Sequence, residues 1–262
     1  MKKILPIILL AALLLSFGTI CAQAGSLSIS NQVTFSKGKT TVTWTDSGSN
    51  GPYQVAYRYY DGGSAGQSGF WAGGSKSDAT TYSKSYTFSE LIPGCRYIIT
   101  VFDSDNNMAT ETIQVPEAKA FNDTGIRAST MSVDSECRYI SADGTEKWPS
   151  VFIVDQMLPY INDSRASCGV SYKFEIPAIS QRKEYTVLMA MKAPNGYTET
   201  VLTQDITFTK TSRYKTYYTD CTGTEFFRRL LKENGTIPVG KYTVEMYWDG
   251  MLVDRSHFNV KK

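Results

Sequence analysis

Residues 91–101 decide the fold, and they read LIPGCRYIITV. A Pro-Gly pair closes one segment with a turn, and Tyr97, Ile99 and Val101 then follow at alternate positions. Because successive side chains of a strand point to opposite faces, this spacing predicts a strand whose Tyr, Ile and Val side chains face a core. A turn that leads directly into such a strand is typical of antiparallel β-sheets.

Further short strands are predicted on both sides of this segment, throughout residues 27–115. Val42 and Trp44 alternate with threonines, and an alternating Tyr-rich run occupies residues 53–60. Gly, Ser, Asn and Asp separate these runs, and a helical period is almost absent. Several short strands separated by turn residues favour a β-sandwich.

The LIPGCRYIITV segment resembles the tyrosine corner of fibronectin type III domains, whose pattern is Leu-x-Pro-Gly-x-x-Tyr-x-Val-x-Val. The resemblance covers residues 25–116, with Trp44 on the second strand. It implies that Tyr97 is structural, with its hydroxyl bonded back across the corner and its ring in the core, and that Trp44 is structural too. Cys95 departs from the pattern, since the family usually has a small polar residue there.

A second β-sandwich is predicted for residues 122–262, after a short polar linker at 117–121. Alternating apolar residues recur at 170–176 and 185–191, and Asp249-Gly250 suits a type I′ turn between two final strands. The last hairpin resembles that of bacterial immunoglobulin-like domains. The fold class is therefore expected to be all-β, with a fibronectin type III-like and then an immunoglobulin-like β-sandwich.

One helix is predicted in the second sandwich, near residues 223–233. Thr222 and Glu225 have the spacing of a capping box, and Asn234-Gly235 offers a stop. The apolar face holds Phe226, Phe227, Leu230 and Leu231. The opposite face holds Arg228, Arg229 and Lys232, which are expected to form an ordinary solvated surface.

Residues 1–24 read as a secretory signal, with two lysines, an apolar run and a final Ala-Gln-Ala. We therefore expect a secreted, extracellular protein without membrane insertion after cleavage. The signal holds two of the 27 Lys and Arg residues, so the exported 238 residues carry 25 positive against 25 negative side chains. This balance disfavours nucleic acid as a partner.

Four cysteines remain after export, and in an oxidising compartment they are expected to form disulfides. The candidates are Cys95, Cys137, Cys168 and Cys221, and three pairings are open. We hypothesise one bridge from Cys95 to the second domain and one within that domain. A zinc site of three cysteines with His257 lacks the close Cys-x-x-Cys pairing, so no metal is expected.

The sequence shows no pattern of an enzyme, and neither catalytic residues nor a cofactor are expected. It has no G-x-S-x-G elbow, and the Gly-rich residues 62–69 lack the Lys-Ser or Lys-Thr of a phosphate loop. His257 is expected to face outward from a terminal strand, and residues 103–107 to form a polar turn rather than a calcium loop. A pocket that joined His257 to a carboxylate and a nucleophile would instead indicate an enzyme.

The candidate binding surface is the Gly-rich segment 61–79 with its Phe70-Trp71 pair. Tyr57, Tyr59 and Tyr60 lie nearby in sequence, and aromatic rings on a β scaffold can stack on sugars or anchor a protein interface. Coverage of the sheet edge by Trp71 is the alternative. We expect a non-enzymatic binding or adhesion protein whose partner is an extracellular protein or glycan. A carbohydrate-binding accessory module and a structural spacer in a surface assembly are the other candidates.

Overall fold

The chain is built from strands and two short helices in the part of it that the computed structural model describes. No helix in that part is long and apolar enough to cross a membrane. The described residues are 26–60, 79–122, 132–175, 181–209, 217–218 and 221–262.

Two antiparallel sheets form the N-terminal sandwich. In chain order its strands are β1 Leu27–Ile29, β2 Thr34–Ser36, β3 Lys39–Asp46, β4 Tyr53–Tyr60, β5 Ala79–Thr81, β6 Ser85–Phe88, β7 Arg96–Phe102 and β8 Met108–Gln114. One sheet has β1, β2 and β6 all paired with β3. The other sheet has the spatial order β5-β4-β7-β8.

The core of this sandwich is rich in aromatic rings. Trp44 and Tyr53 meet edge to face with their ring centroids 5.4 Å apart, and both are buried. Tyr97 is buried as well, and its hydroxyl accepts a hydrogen bond of 2.8 Å from the backbone N–H of Ile92. This bond closes the Pro-Gly corner onto the strand that follows it, which is the structural role that the resemblance implied for Tyr97.

The C-terminal sandwich also has two sheets. In chain order its elements are β9 Lys119–Ala120, β10 Ser132–Ile140, β11 Glu146–Lys147, β12 Phe152–Ile153, α1 Val154–Asn162, β13 Ser167–Glu175, β14 Lys183–Lys192, β15 Thr198–Phe208, β16 Tyr217–Tyr218, α2 Thr224–Asn234, β17 Gly240–Trp248 and β18 Met251–Lys261. The smaller sheet runs β11-β10-β13-β16, and the larger runs β12-β18-β17-β14-β15.

The predicted linker contributes a strand to the second sandwich. Lys119 and Ala120 pair in parallel with Met251 and Leu252 at the start of β18. At the preceding turn, Asp249 and Gly250 have φ values of 48° and 78°, the positive values that a type I′ turn requires. The chain therefore enters the second sandwich beside its final hairpin.

The helices differ from the prediction in two respects. A helix missing from the sequence analysis, α1, runs from Val154 to Asn162 with Pro159 inside it. The predicted capping box of Thr222 and Glu225 is wrong. The helix α2 begins after Gly223, whose φ is 103°, and has no side-chain cap. Thr222 instead forms a β-bridge with Val170, so its backbone is held by the sheet and cannot cap the helix.

The two sandwiches meet through an apolar joint. Ile92 of the first contacts Leu188, Ala190 and Tyr247 of the second, and Cys95 packs against this cluster. Consequently β14 is buried on both faces.

Polar and backbone contacts extend this joint. Thr200 donates a hydrogen bond of 2.7 Å from its hydroxyl to the backbone carbonyl of Glu90. A Cβ on Gly38 would lie 2.8 Å from the backbone nitrogen of Gly250, so the turns of the two sandwiches are in direct contact.

Candidate functional site

The aromatic residues predicted as a binding surface fall into two groups. Phe70 and Trp71 lie outside the described residues. Tyr57 and Tyr59 are half-buried and meet the Tyr97 ring edge to face, with centroid separations of 5.8 and 5.7 Å. Tyr60 is the exposed member of the set, and the Arg96 guanidinium lies 4.5 Å from its ring centroid.

Tyr57 and Tyr59 pack against the first core and also lie near groups at the domain joint. Burial, followed by the nearby carboxylates of Glu90 and Glu199, raises the pKa of Tyr57. Burial also raises the pKa of the Cys95 thiol to about 11, against a smaller lowering by a hydrogen bond with Tyr59. Both rings thus pack against the core of the first sandwich, close to where the sandwiches meet.

The predicted disulfides are not formed in the structure. Cys95, Cys137 and Cys168 carry free thiols, and the Cys221 thiol lies 3.5 Å from the carbonyl oxygen of Arg138. Burial and then the neighbouring Cys221 raise the pKa of Cys137 to about 12, and the same two causes raise that of Cys168. Three cysteines thus lie close together in the second sandwich, while Cys95 faces that sandwich across the joint.

An exposed tryptophan that the sequence did not single out, Trp148, lines a groove of the second sandwich. The Trp148 side chain is 47 % exposed just after β11. The Arg138 guanidinium lies over this ring, 4.7 Å from its centroid. Stacking of a cation on an aromatic face is attractive, and here the residue remains about half exposed.

Arg138 is itself held in place by the sheet. Its side chain is only 15 % exposed, pairs with the Glu146 carboxylate and donates a hydrogen bond of 3.3 Å to the Ser171 hydroxyl. Glu146 belongs to β11 and Ser171 to β13, on either side of Arg138 in β10. The Arg138 guanidinium under the indole is therefore held by contacts within three neighbouring strands.

Trp148 forms one wall of a groove of about 390 Å³. The other walls include Glu136 of β10, Ser150, and His257 and Asn259 of β18. The Ser256 hydroxyl donates a hydrogen bond of 2.6 Å to that of Ser135, which ties β18 to β10 beside the groove. The groove thus follows the line where the two sheets of the sandwich meet.

The same groove contains a thiol, an imidazole and a carboxylate, the combination that would indicate an enzyme. Its lining includes Cys137 together with His257 and Glu136. A nucleophilic thiol needs a lowered pKa, whereas burial raises that of Cys137 to about 12. The imidazole Nδ1 lies 3.2 Å from the Thr243 hydroxyl. The raised pKa favours the protonated thiol at neutral pH.

Two of the three basic residues on α2 make intramolecular contacts, while Lys232 is exposed as predicted. Arg228 donates hydrogen bonds of 2.8 Å to the backbone carbonyls of Ile161 and Asp163, at the end of α1. Arg229 pairs with Glu199 at an N–O separation of 2.9 Å. The first arginine caps the neighbouring helix, and the second compensates a buried charge.

The loop of residues 103–107 is a polar turn. The Asp103 carboxylate accepts hydrogen bonds from the backbone N–H groups of Asp105 and Asn107 and from the Asn107 amide. Burial opposes ionisation of Asp103, yet these bonds outweigh it and lower the pKa. Within the described residues, no group of three or more His, Cys, Asp or Glu side chains is arranged to hold a metal ion.

No family model matches the chain, and no curated protein sequence matches it. Among the solved structures with weak similarity are dimeric latent PorU from Porphyromonas gingivalis, a carbohydrate-binding module of the β-sandwich superfamily, and murine CEACAM1b.

The similarity is low in both sequence and geometry. Identities are 12, 10 and 10 %, and TM-scores are 0.23, 0.21 and 0.21, in the same order. This chain is covered to 94, 88 and 90 %, and it spans 21, 97 and 99 % of those chains. The chain is therefore about a fifth of the length of the PorU protein. At these scores the β-sandwich assignment rests on the strand pairing itself.

Trp148 was not predicted as a binding residue because the residues around it in sequence form no recognisable motif. It stands in the polar run Asp143–Ser150, which has no alternating apolar pattern. That isolation was itself a usable signal, since a large aromatic ring without apolar neighbours in sequence often stays at the surface. The support from Arg138 could not be read from the sequence, because the two residues lie on different segments.

Proposed function

We propose that this protein is a secreted, non-enzymatic binding protein that takes an extracellular ligand, a protein or a glycan, into the groove beside Trp148. The observation that carries the proposal is the exposed indole fixed on the Arg138 guanidinium, 4.7 Å from the ring centroid. A large ring held at the surface at little entropic cost is typical of binding hot spots. Export is supported by the signal pattern of residues 1–24.

The non-enzymatic part of the proposal is supported by the state of the groove's thiol. A Cys137 pKa of about 12 leaves roughly one thiolate in 10⁵ at pH 7. A thiol in this state is not prepared for nucleophilic chemistry.

The first sandwich is assigned as fibronectin type III-like within this proposal, and the second as immunoglobulin-like. The Tyr97 hydroxyl bond to Ile92 and the facing sheets β1-β3-β6 and β5-β4-β7-β8 support the first assignment. The antiparallel pairing of β14, β17 and β18 supports the second. Such sandwiches host many functions, so the ligand must be argued from the groove.

The test is a pull-down from the native extracellular milieu with three forms of the chain. These are the wild type, Trp148→Ala and the matched control Tyr82→Ala, which removes a 75 % exposed ring from the other sandwich. We expect one component to be captured by the wild type and by Tyr82→Ala but lost with Trp148→Ala. Equal capture by all three forms would place the ligand site elsewhere.

A rigid spacer is the second candidate function, and the joint between the sandwiches favours it. The apolar cluster around Ile92 and the contact between the Gly38 and Gly250 turns fix the two units at two points. Small-angle X-ray scattering in solution would then fit a single arrangement of the sandwiches. A requirement for a broad set of arrangements would exclude a spacer role.

A further inference from the structure

We infer that the Trp148 groove binds a neutral saccharide, one or two sugar rings of a glycan. This inference rests on the proposed function, since it names the ligand class of the same site. It depends on three features of the groove: the form of the aromatic platform, the polar groups beside it, and the balance of charge.

The platform suits the apolar face of a sugar ring. The indole is about half exposed, and its buried-side face is already occupied by the Arg138 guanidinium. A ligand therefore meets a flat ring that already packs on a guanidinium. Because sugars present flat patches of C–H groups, they stack on a fixed indole as a second layer.

The groups beside the platform suit hydroxyl groups. The Glu136 carboxylate accepts hydrogen bonds, the Asn259 amide both donates and accepts, and the Ser150 hydroxyl can do either. They lie on the walls of the same groove as the indole. A flat apolar face edged by donors and acceptors matches the two kinds of surface on a saccharide.

Charge favours neutral over acidic sugars. The Arg138 charge lies behind the indole and is paired with the Glu146 carboxylate. Glu136 is then the carboxylate that faces the groove, and it would repel a uronate or a sialic acid. The groove volume of about 390 Å³ lies near the lower end of the range of roughly 300–1,000 Å³ for small-molecule sites, which fits a short saccharide.

The test is calorimetric titration of the exported chain with maltotriose, cellotriose, xylotriose and diacetylchitobiose as neutral probes, and digalacturonate as the acidic probe. We expect at least one neutral probe to bind more tightly than digalacturonate. Trp148→Ala should weaken that binding at least about tenfold, and Trp148→Phe by less. Tyr82→Ala should leave the affinity unchanged, and Glu136→Gln should narrow the gap between neutral and acidic probes.

The variants must be shown to fold before the titrations are compared. Because Trp148 is exposed, we expect Trp148→Ala to melt within about 2 °C of the wild type. If Trp148→Ala melts far lower, the Trp148→Phe and Glu136→Gln titrations decide the question in its place.

Three outcomes would overturn the inference. Saccharide binding that survives Trp148→Ala would place the sugar elsewhere, and preference for digalacturonate would remove the charge argument. Absence of binding to any probe, combined with Trp148-dependent capture of a protein in the pull-down, would reject the saccharide and leave the proposed function standing. Failure of both experiments would reject the site as well.

Discussion

Replacement of Arg229 by Met should leave the buried Glu199 carboxylate without its ionic partner. Glu199 is 4 % exposed, with Arg229 at 2.9 Å and the Tyr197 hydroxyl donating a bond of 2.7 Å. Methionine keeps much of the arginine's volume while removing its charge. The carboxylate would then remain buried with the tyrosine hydroxyl as its one described hydrogen-bond donor.

The expected cost is about 3 kcal/mol at pH 7. Removal of one partner of a buried ion pair typically costs about 3–5 kcal/mol, because the other charge stays buried without compensation. The Arg229 side chain is 24 % exposed, so solvent already screens part of the attraction. The Tyr197 hydroxyl also remains, and both facts place the expected value at the lower end of the range.

The loss of unfolding free energy caused by Arg229→Met should be larger at neutral pH than at acidic pH. Burial raises the pKa of Glu199 above its ordinary value of 4.5, although Arg229 lowers it in part. Loss of Arg229 raises the folded-state pKa further. A carboxyl with a raised folded pKa contributes stability below its unfolded pKa, and this stability is lost as the pH rises through the folded value. The deficit of Arg229→Met should therefore be large at pH 7 and small at pH 4.

Urea unfolding of the wild type, Arg229→Met and Arg229→Met/Glu199→Gln, at pH 7 and at pH 4, measures these differences. The double variant should recover most of the loss at pH 7, since a neutral amide needs no counter-charge. The reasoning is refuted if the single variant loses as much at pH 4 as at pH 7, or if the double variant is no more stable than the single one.

Three further predictions concern the corner, the joint and the thiols. Tyr97→Phe should cost about 1–3 kcal/mol in urea unfolding, because the Ile92 N–H loses its acceptor, and a cost near zero contradicts the corner's role. Gly250→Ala should lower the unfolding free energy by at least about 1 kcal/mol more than Gly144→Ala. Both glycines have positive φ, but a Cβ on Gly250 would meet the Phe35 ring and Gly38 while open space surrounds Gly144. Equal losses would mean that the turns do not touch. With a thiol pKa of about 11, Cys95 should be alkylated at pH 8 only after unfolding, and rapid labelling in native peptide maps would show that it is accessible.

Much of the fold could be predicted because it is encoded by local periodicity. The alternation from Tyr97 to Val101 and the Asp249-Gly250 turn each report on neighbouring residues, and both elements form where expected. The helix α1 escaped prediction because Pro159 disfavours a helix interior in isolation, and tertiary packing of Met157 and Ile161 overrides that preference.

The candidate site could not be predicted in the same way, because its parts are distant in sequence. Arg138 and Trp148 meet only after β10 and β11 have paired, and Asn259 comes from the last strand. Likewise Glu199 and Arg229 are joined by the packing of α2 on the sheet. Periodicity carries no information about such pairs, because it indicates which face of a strand or helix a side chain lies on and not which distant residue contacts it.

The amino-acid order alone determined that this chain builds antiparallel strands around aromatic cores, because alternation and turn chemistry act over a few residues and need no distant partner. Tertiary structure alone decided that Tyr57 and Tyr59 pack against the Tyr97 ring while Trp148 stays exposed beside the Arg138 guanidinium. The exposure of an aromatic ring depends on which distant segments pack over it, and those segments meet only when the sheets pack together.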